Sequence, residues 1–533
     1  MAGVKTADAH DAAAAETPRA TQPATVYLVG AGPGDPGLLT VRARELLDAC
    51  DAVVYDALAN PELLGGRDPD RRRQPELHFV GKRGGDGQSP RQEEINALLV
   101  RLGREGKRTV RLKGGDPLVF GRGSEEAQAL AAAGVPFEIV PGVTAGIAAP
   151  AYAGIPVTHR GIATSVTFVT GHEDPTKDEA QTDWEALARA GGTIVLYMGV
   201  KRLTSIAAAL VAGGMPADTP AAAIQWGTYA RQRTVTATVA TLAERVTSER
   251  LAAPVITVIG PAVRLRDEIA WFDRRPLFGR RIVVTRARPQ AGALSERLRE
   301  LGADVLEAAA TRVEPLDPAP LREAIGRLGT AAGYGWLIFT SQNAVHLFWE
   351  QLRAAGRDAR ALAGSRVCAV GPATGEALLA HGIAVDVVPD RFVAEGLLDA
   401  LADRADLRGT RVLYATADGA RDVLPHGLRE LGAEVEVVPI YRSVVDGADA
   451  DALRAALAEG AVDLVTFTSA SAVRGFVEAV GPALASRVPA ASIGPITSEA
   501  ARAAGIPVAI EAAEATIPGL VEAIIAAGPR VRG

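Results

Sequence analysis

The second half of the sequence repeats itself, and this repetition constrains its fold more than any other feature. Three segments recur in the same order: LRELGADV (298–305) as LRELGAEV (428–435), FTSQNAV (339–345) as FTSASAV (467–473), and VGPATGEALLAHGI (370–383) as IGPITSEAARAAGI (493–506). Each copy has a strand that ends in Thr-Ser, a strand that ends in Gly-Pro-x-Thr, and a helix after each. The repeat therefore predicts two similar α/β units.

The equivalent strand ends of the two copies carry hydroxyl side chains. Hydroxyls and free N–H groups at strand ends and helix N-termini form anion-binding surfaces. Two such units that face each other would make a cleft lined by amides and hydroxyls, with few acids, which suits a polycarboxylate ligand. A single Ser or Thr at such a place more often only caps its helix. The matching pairs in two copies favour a site.

In the first half, the stretch RLKGGDPLVFGRGSEE at 111–126 has the composition of a ligand-holding loop. Short runs of strand-forming residues predict strands over 79–82, 109–113, 137–140 and 193–197. The strand over 109–113 runs into Gly114 and Gly115, whose backbone can reach unusual φ angles. Ser124 is predicted as the N-cap of a helix that extends to about Ala133. Loops between strands and helices are where α/β proteins place their sites. The alternative is an acidic glycine turn that only connects the two elements.

The segment GAGPGD at 30–35 follows a buried strand, Val26–Val29, and is similar to a dinucleotide fingerprint. Asp35 occupies the place of the third glycine, where it would repel a phosphate, and Pro33 lacks a backbone donor. Asp56 follows the next strand, about where a ribose-binding acid would lie. Because the phosphate site is spoiled, the sequence argues against a nicotinamide cofactor.

Composition excludes several classes of function. The net charge is −6, and the one run of three arginines, Arg71–Arg73, is interpreted as a solvated loop rather than a binding arm, which argues against a nucleic-acid partner. The two cysteines, Cys50 and Cys368, are too far apart in sequence to form a disulfide framework or metal knuckle, and we expect no metal. No apolar run is long enough to span a membrane, and the Ala-rich residues 1–24 predict a disordered tail rather than a secretory signal. We therefore expect a cytoplasmic protein.

A charged segment, Arg264–Gly279, separates the two halves and contains Pro276. It predicts a linker at residues 266–278, between one domain at 25–265 and another at 279–533, although Trp271 and Phe272 could dock.

Several motifs of the first half together resemble the tetrapyrrole methylases, and among them the uroporphyrinogen-III C-methyltransferases. The motifs are VGAGPGDPGLLT, VYDAL, GKRGG, RLKGGDPLVFGRGSEE, VPGVTA, YMG and QWGT, and they cover about 25–262. The second half, about 279–526, resembles uroporphyrinogen-III synthase through the paired FTS and GP-x-T segments and the sequence PIY at 439–441. The resemblance implies a two-lobed α/β methylase fold followed by a pair of similar α/β units, one formed by about 279–314 and 443–526, with the other inserted at about 315–442.

For the first half, the resemblance implies transfer of two methyl groups from S-adenosylmethionine to uroporphyrinogen III, which gives precorrin-2 on the sirohaem or cobalamin branch. The residues that match the family's cofactor site are Pro33, Gly114, Gly115, Asp116, Val119, Thr144, Ala145, Met198 and Gly227. Asp56 and Lys82 are the implied general base and acid. Arg122 with Glu125 is a rival pair, although an exposed Arg–Glu pair at a helix start is often only structural. The resemblance also implies a homodimer through this domain.

For the second half, the resemblance implies closure of hydroxymethylbilane to uroporphyrinogen III with loss of water and inversion of ring D, without a cofactor. Tyr441 is the candidate for helping the hydroxyl group to leave, because a phenol can donate a hydrogen bond. The residues expected to bind acetate and propionate groups are Thr340, Ser341, Thr374, Thr468, Ser469 and Thr497. The alternatives are a methylase that acts on a later corrin intermediate or on RNA, and a tetrapyrrole-binding scaffold without catalysis.

Overall fold

The computed structural model describes residues 23–65, 74–81, 91–171, 182–285, 288–308, 311–404, 406–445 and 450–528. The chain divides into two compact units between Arg275 and Pro276. The predicted tail at 1–24 lies outside the described residues apart from its last two, and Ala24 already donates a hydrogen bond to the carbonyl of Gly103 at 3.0 Å.

The first lobe of the first unit is a parallel sheet with strand order β3-β2-β4-β1-β5. Its strands are β1 (Val26–Gly30), β2 (Ala52–Tyr55), β3 (Glu76–Phe79), β4 (Thr109–Lys113) and β5 (Phe137–Val140). The helices of this part of the chain are α1 (Val41–Ala49), α2 (Glu62–Gly65), α3 (Gln92–Arg104), α4 (Gly123–Ala132) and α5 (Ala145–Tyr152). Apolar side chains of β1 and β2 alternate between two cores, one on each face of the sheet, whereas those of β4, Val110 and Leu112, both face the same core.

The second lobe is a mixed sheet with strand order β6-β7-β10-β8-β9, in which only β6 and β7 are parallel. Its strands are β6 (Val166–Thr170), β7 (Thr193–Tyr197), β8 (Pro220–Gln225), β9 (Arg233–Thr238) and β10 (Val255–Ile259). Its helices are α6 (Trp184–Ala190), α7 (Leu203–Ala212), α8 (Leu242–Ser248) and α9 (Arg266–Ile269). The small residues of α5, Ala149 and Ala153, pack on one face of this sheet, so α5 joins the two lobes.

One sheet of the second unit is parallel, with strand order β12-β11-β18-β19-β20. The other has the order β13-β17-β16-β14-β15, in which β13 alone is antiparallel to its neighbour. The strands are β11 (Arg281–Val284), β12 (Asp304–Glu307), β13 (Thr311–Pro315), β14 (Trp336–Phe339), β15 (Arg366–Ala369), β16 (Arg411–Ala417), β17 (Glu434–Val445), β18 (Leu464–Phe467), β19 (Ala490–Ser492) and β20 (Val508–Glu511). The strands of the second of these sheets therefore interrupt the chain between β12 and β18.

Helices pack on both sheets of this unit and follow the strands of its repeated FTS and GP-x-T segments. They are α10 (Arg288–Glu300), α11 (Ala319–Arg327), α12 (Gln342–Ala354), α13 (Pro372–Leu379), α14 (Ala394–Arg404), α15 (Val423–Glu430), α16 (Ala450–Ala458), α17 (Ala470–Val480), α18 (Pro482–Ala485), α19 (Pro495–Ala503) and α20 (Ile517–Ala526). The repeated FTS segments become β14–α12 and β18–α17, with Ser341 and Ser469 as N-caps. The prediction of an α/β fold with a pair of similar units in this half is confirmed.

Two local predictions are wrong. A strand expected to begin at Phe79 instead ends there, because β3 is an edge strand whose residues are exposed or half-buried and give little apolar signal. Ser124 is not the N-cap of α4, since Arg122 holds that position in the left-handed region (φ 60°) and the helix begins at Gly123.

The segment predicted as a linker is ordered at both ends. The Trp271 indole N–H donates to the Ala151 carbonyl at 2.9 Å, and the buried Phe272 ring lies 4.8 Å from the Tyr152 ring. At the other end, Leu277 donates its N–H to the Leu301 carbonyl of the second unit. Residues 266–275 are therefore part of the first unit rather than a free connector.

Docking of this segment predicts that Phe272→Ala destabilises the first unit. Deleting a buried phenyl ring costs about 3–5 kcal/mol. In calorimetry we expect the transition of the first unit to move to lower temperature while that of the second unit stays in place. The exposed neighbour Arg274 provides a control, and Arg274→Ala should move neither transition. No change in Phe272→Ala would show that the segment is a passive connector.

Candidate functional site

Three loops meet backbone to backbone at the carboxyl edge of the first sheet. They follow β1, β4 and β5, which are adjacent in the sheet. Gly115 donates its N–H to the Gly32 carbonyl at 2.7 Å. A Cβ atom on Gly30 would lie 2.5 Å from the Gly142 Cα, so only glycine fits there. We call these four residues the glycine cradle.

Asp116 ties two of these loops together. One carboxylate oxygen accepts the N–H of Leu118 at 2.8 Å and the other accepts the N–H of Gly142 at 3.0 Å. The side chain is half-buried. Because both oxygens are engaged, Asp116 fixes the loop after β4 against the loop after β5.

Tyr197 connects the second lobe to this edge. Its hydroxyl accepts the Gly146 N–H and shares a hydrogen bond with the Thr144 hydroxyl, both at 2.6 Å. Burial raises the pKa of this phenol, so it remains protonated. The Phe120 ring from the loop after β4 lies 4.9 Å from the Tyr197 ring. Loop, helix α5 and strand β7 therefore converge on one side chain.

The residues that follow β7 and β8 have unusual backbone angles. Met198, Trp226 and Thr228 have positive φ angles of 53°, 50° and 74°. Such angles are costly for residues other than glycine and cluster at ligand sites. The Met198 side chain is 53% exposed beside the buried Tyr197. A methionine that only filled the core would be buried, so the exposure of Met198 favours a contact with a ligand.

The loop after β1 is bound on three sides. The Asp35 N–H donates to the Thr228 hydroxyl at 3.0 Å, and the Tyr152 hydroxyl donates to the Asp35 carboxylate at 2.7 Å. Asn60 donates to the Gly34 carbonyl at 2.8 Å. Asp35, which argued against a phosphate site in the sequence, thus joins the first lobe to the second.

Beneath the same edge lies a buried cluster of two cations and two acids. Arg111, Lys113 and Glu126 are 3%, 4% and 0% exposed. The Arg111 Nε and the Lys113 Nζ both bind Glu126 Oε1, at 3.0 and 2.9 Å. A terminal nitrogen of Arg111 also binds Asp56 Oδ2 at 3.2 Å. Burial lowers the pKa of Lys113, an effect increased by the nearby Arg111 charge.

Arg122 and Glu125 form an ion pair near this cluster. Two guanidinium nitrogens meet the two carboxylate oxygens at 2.8 and 2.7 Å, and the side chains are 56% and 46% exposed. The hydrogen bond from Arg122 lowers the pKa of Glu125, with a smaller contribution from Lys113. The pair is accessible to a ligand from solvent.

In the second unit, Tyr441 on β17 is 6% exposed, and its hydroxyl shares a 2.9 Å hydrogen bond with the Ser341 hydroxyl. Burial raises the pKa of Tyr441 and keeps the phenol protonated. A cavity lies at the carboxyl edge of the same sheet, but Tyr441 does not line it, because the Tyr441 ring packs in the core on the other face of the sheet from Tyr414 and Leu424. Residues from both α/β units of the second half line the cavity: Thr340, Val370, Phe392, Val393, Ala394, Tyr414, Arg421, Leu424 and Ile496.

Comparison with known proteins assigns a family to each half. The family of Tetrapyrrole (Corrin/Porphyrin) Methylases matches residues 25–243, and Uroporphyrinogen-III synthase HemD matches residues 292–522. A porphyrin biosynthesis protein HemD of Ruminiclostridium josui is 35% identical over 509 residues, which are 94% of this chain and 98% of that protein. The chain is a fusion of a tetrapyrrole methylase and a uroporphyrinogen-III synthase.

Two further matches cover the methylase half. An S-adenosyl-L-methionine-dependent uroporphyrinogen III methyltransferase of Methanosarcina barkeri is 52% identical over 45% of this chain and 93% of its own length. The solved structure of a uroporphyrin-III C-methyl transferase from Thermus thermophilus, complexed with S-adenyl homocysteine, is 38% identical over 45% of this chain and 99% of that chain, with a TM-score of 0.38.

The methylase half brings its predicted cofactor residues to neighbouring loops. A Cβ atom on Gly115 would lie 3.8 Å from Thr144 and 3.7 Å from Ala145, and one on Gly227 would lie 2.3 Å from Ala149 in α5. Pro33, Gly114, Asp116 and Val119 lie in the same loops, and Met198 follows Tyr197. Lys82 lies outside the described residues.

The synthase half places its six predicted substrate residues at two kinds of position. Thr340, Ser341, Thr468 and Ser469 are half-buried at the ends of β14 and β18. Thr374 and Thr497, inside the first turns of α13 and α19, are each 5% exposed. A ligand there would meet the main chain of the helix N-terminus more readily than either hydroxyl.

The sequence argument missed the Arg111–Lys113–Glu126 cluster and Tyr197. The spacing of Arg111 and Lys113, two residues apart in a strand, places both on one face of the sheet and was the available signal. Within the described residues, no group of three or more His, Cys, Asp and Glu side chains is arranged to hold a metal ion. None of the helices described is long and apolar enough to cross a membrane.

The contacts of Tyr197 predict that Tyr197→Phe lowers the free energy of unfolding of the methylase half. The variant leaves the buried Gly146 N–H without its acceptor, which costs about 1–3 kcal/mol. Denaturant unfolding should show this loss in the first unit. Tyr27→Phe is the matched control, because no hydrogen bond of its hydroxyl to a described residue is present, and it should change stability by less than about 0.5 kcal/mol. Equal effects of both changes would contradict the bridging role.

Proposed function

We propose that this chain is a bifunctional enzyme of tetrapyrrole biosynthesis. Its second half closes hydroxymethylbilane to uroporphyrinogen III, and its first half methylates that product twice with S-adenosylmethionine to give precorrin-2. The observation that carries the proposal is the presence of both families in one chain, since one makes the substrate of the other. The names of the relatives from Ruminiclostridium josui and Methanosarcina barkeri support it.

The glycine cradle fits a bound S-adenosylmethionine. Its close backbone contacts leave main chain rather than side chains at the edge, where a ligand can approach. Pro33, Gly114, Gly115, Asp116 and Val119 would hold the cofactor from the first lobe, and Thr144, Ala145, Met198 and Gly227 from α5 and the second lobe. The cofactor supplies an electrophilic methyl group, and the protein supplies orientation toward a pyrrole carbon.

Asp56 is our candidate for the base that removes a proton from the macrocycle. Its carboxylate is 25% exposed and lies at the end of β2, next to the loops of the cradle. Lys82, the proposed acid, follows β3 in the sequence and lies outside the described residues. The exposed Arg122 guanidinium is placed to bind a propionate, with Glu125 orienting it. Arg122 and Glu125 are also the alternative acid–base pair.

In the second half, Tyr441 would assist departure of hydroxide from hydroxymethylbilane by hydrogen-bond donation. The raised pKa of its phenol keeps the proton that this task needs. Its hydrogen-bond partner Ser341 is next to Thr340, which lines the cavity at this edge together with Tyr414 and Arg421. These three side chains can bind carboxylates, and no acid lines the cavity among the described residues. No cofactor or metal is needed for this closure.

We also propose that residues 25–265 and 279–533 are the two catalytic domains, with a second α/β unit inserted in the latter at about 315–442. The strand order supports such an insertion, since β13 (Thr311–Pro315) to β17 (Glu434–Val445) form one sheet between β12 and β18. The proposed homodimer through the methylase domain rests on the resemblance, and the proposed cytoplasmic location rests on the composition of the sequence.

The first test is methylation by the whole chain. Uroporphyrinogen III with S-adenosylmethionine should gain two methyl groups by mass analysis. Asp116→Ala should weaken cofactor binding by about 10- to 100-fold, because two loops of the cradle lose their tie. Asp183→Ala is a control, because Asp183 only caps α6. Unchanged cofactor affinity in Asp116→Ala, measured by calorimetry, would reject this placement of the site.

The second test is the isomer formed from hydroxymethylbilane without S-adenosylmethionine. The spontaneous product is the type I isomer, so formation of type III measures synthase activity directly. Tyr441→Phe should slow closure while the fold remains intact, because only a hydroxyl is lost. Tyr334→Phe, a change remote from the cavity, is the control. A folded chain that yields only the type I isomer would refute the assignment of the second half.

A further inference from the structure

Arg111 is buried under the proposed site but has no role in the function described so far. A guanidinium cannot lose its charge, so its burial requires paired acids and hydrogen-bond acceptors. Glu126 at 0% exposure and Asp56 at 25% exposure of the side chain supply the acids. The carbonyls of Leu112 and Val54 accept further hydrogen bonds from it at 3.0 and 3.4 Å. Every nitrogen of this guanidinium therefore has a partner.

These contacts fix the direction in which Arg111 points. Its Nε binds Glu126 on α4, and the two terminal nitrogens bind strand carbonyls and Asp56. The planar fork allows this set of partners in a single orientation. The carboxylate of Asp56 therefore contacts a cation that cannot move without breaking hydrogen bonds in the core.

The other oxygen of Asp56 has its own partner. Asp56 Oδ1 accepts the N–H of Leu58 at 3.1 Å. Leu58 in turn lies against the cradle loop, since a Cβ atom on Gly114 would be 2.6 Å from the Leu58 Cβ. Both oxygens of Asp56 are thus held in one orientation beside the loop that we assign to the cofactor.

Glu126 makes this arrangement possible. It accepts hydrogen bonds from Arg111 and Lys113 through a single oxygen, so two cations and two acids balance within the cluster. Without Glu126, two adjacent cations would be buried against Asp56 alone. The pair Arg111 and Glu126 joins β4 to α4 beneath the only member of the cluster that is substantially exposed, which is Asp56.

We infer that Arg111 is a positioning residue for methyl transfer, which holds the Asp56 carboxylate in the orientation in which it accepts a proton from the macrocycle. The inference rests on the proposed function of Asp56. In the step itself, a C–H bond of the methylated macrocycle breaks, its electron pair returns to the ring system, and the proton goes to an Asp56 oxygen. Arg111 takes no proton and touches neither reactant.

A double-mutant cycle on the whole chain separates positioning from a structural role. The variants are Asp56→Asn, Arg111→Gln and the two combined, with kcat, KM and cofactor affinity measured for each. We expect Asp56→Asn to lower kcat about 100-fold or more. Arg111→Gln should lower kcat about 10- to 100-fold, with KM and cofactor affinity within about threefold of the original chain. The combined variant should be no slower than Asp56→Asn alone, because Arg111 acts only through Asp56.

Arg111→Lys is the second variant in case Arg111→Gln does not fold. It keeps a positive charge beside Glu126, but an ammonium group cannot span both acids. We therefore expect Arg111→Lys to have a lower kcat than the original chain. Adding Arg111→Lys to Asp56→Asn should cause no further loss of kcat. Arg101→Gln removes an exposed arginine from α3 and should leave kcat unchanged.

The outcomes distinguish the two proposals. If the loss of kcat in the combined variant equals the product of the two single losses, Arg111 does not act through Asp56, and the positioning role is wrong while the base assignment stands. The same conclusion follows if Arg111 variants lose cofactor affinity in step with kcat. If Asp56→Asn is fully active, the base assignment is wrong and the role of Arg111 falls with it.

Discussion

Parallel strand pairing decides where chemistry can occur in this protein. In the first lobe, β1, β2, β4 and β5 all run in the same direction, so the loops that follow them lie at one edge. The apolar side chains of these strands are buried on both faces, which leaves the edge as the place for polar residues. Glycines then let three of the loops touch through their main chains. The second unit places its cavity by the same rule, at the ends of β14, β15 and β16.

Much of the fold could be predicted because buried parallel strands are short apolar runs with clear ends. The predicted strands at 109–113, 137–140 and 193–197 coincide with β4, β5 and β7. The prediction failed at β3, where the edge of the sheet leaves residues half exposed and weakens the apolar pattern. It failed again at Ser124, because Arg122 adopts a left-handed conformation that sequence preference makes rare for arginine.

The candidate site was less predictable, because its decisive contacts are tertiary. The spacing of Arg111 and Lys113 places both on one face of β4 but does not show that this face is buried, and the burial of Arg111 depends on Glu126, which α4 brings back over β4. For Asp35, the sequence argument considered only the charge and missed the tertiary contacts. In the sequence its charge served as an argument against a phosphate site, whereas in the structure it binds Tyr152 and Thr228 across the two lobes. The motifs identified the loops of the candidate site. The ion-pair and hydrogen-bond partners of each charged side chain could be identified only in the folded chain.

The two halves meet opposite electrostatic demands. The methylase half holds an acid beside its glycine cradle by burying two cationic side chains and a second acid beneath Asp56, so that two acids face two basic side chains in the cluster. A polycarboxylate that approaches this edge then meets the exposed Arg122 rather than an uncompensated acid. The cavity of the synthase half is lined mainly by apolar side chains, together with two hydroxyls and Arg421, and β17 of the same sheet carries the buried, protonated phenol of Tyr441. Arg421 forms an ion pair with Glu395 at 3.4 Å. The methylase half thus compensates its acid with buried cations, whereas the synthase cavity has no acid among the described residues of its lining and an arginine whose partner lies at the surface.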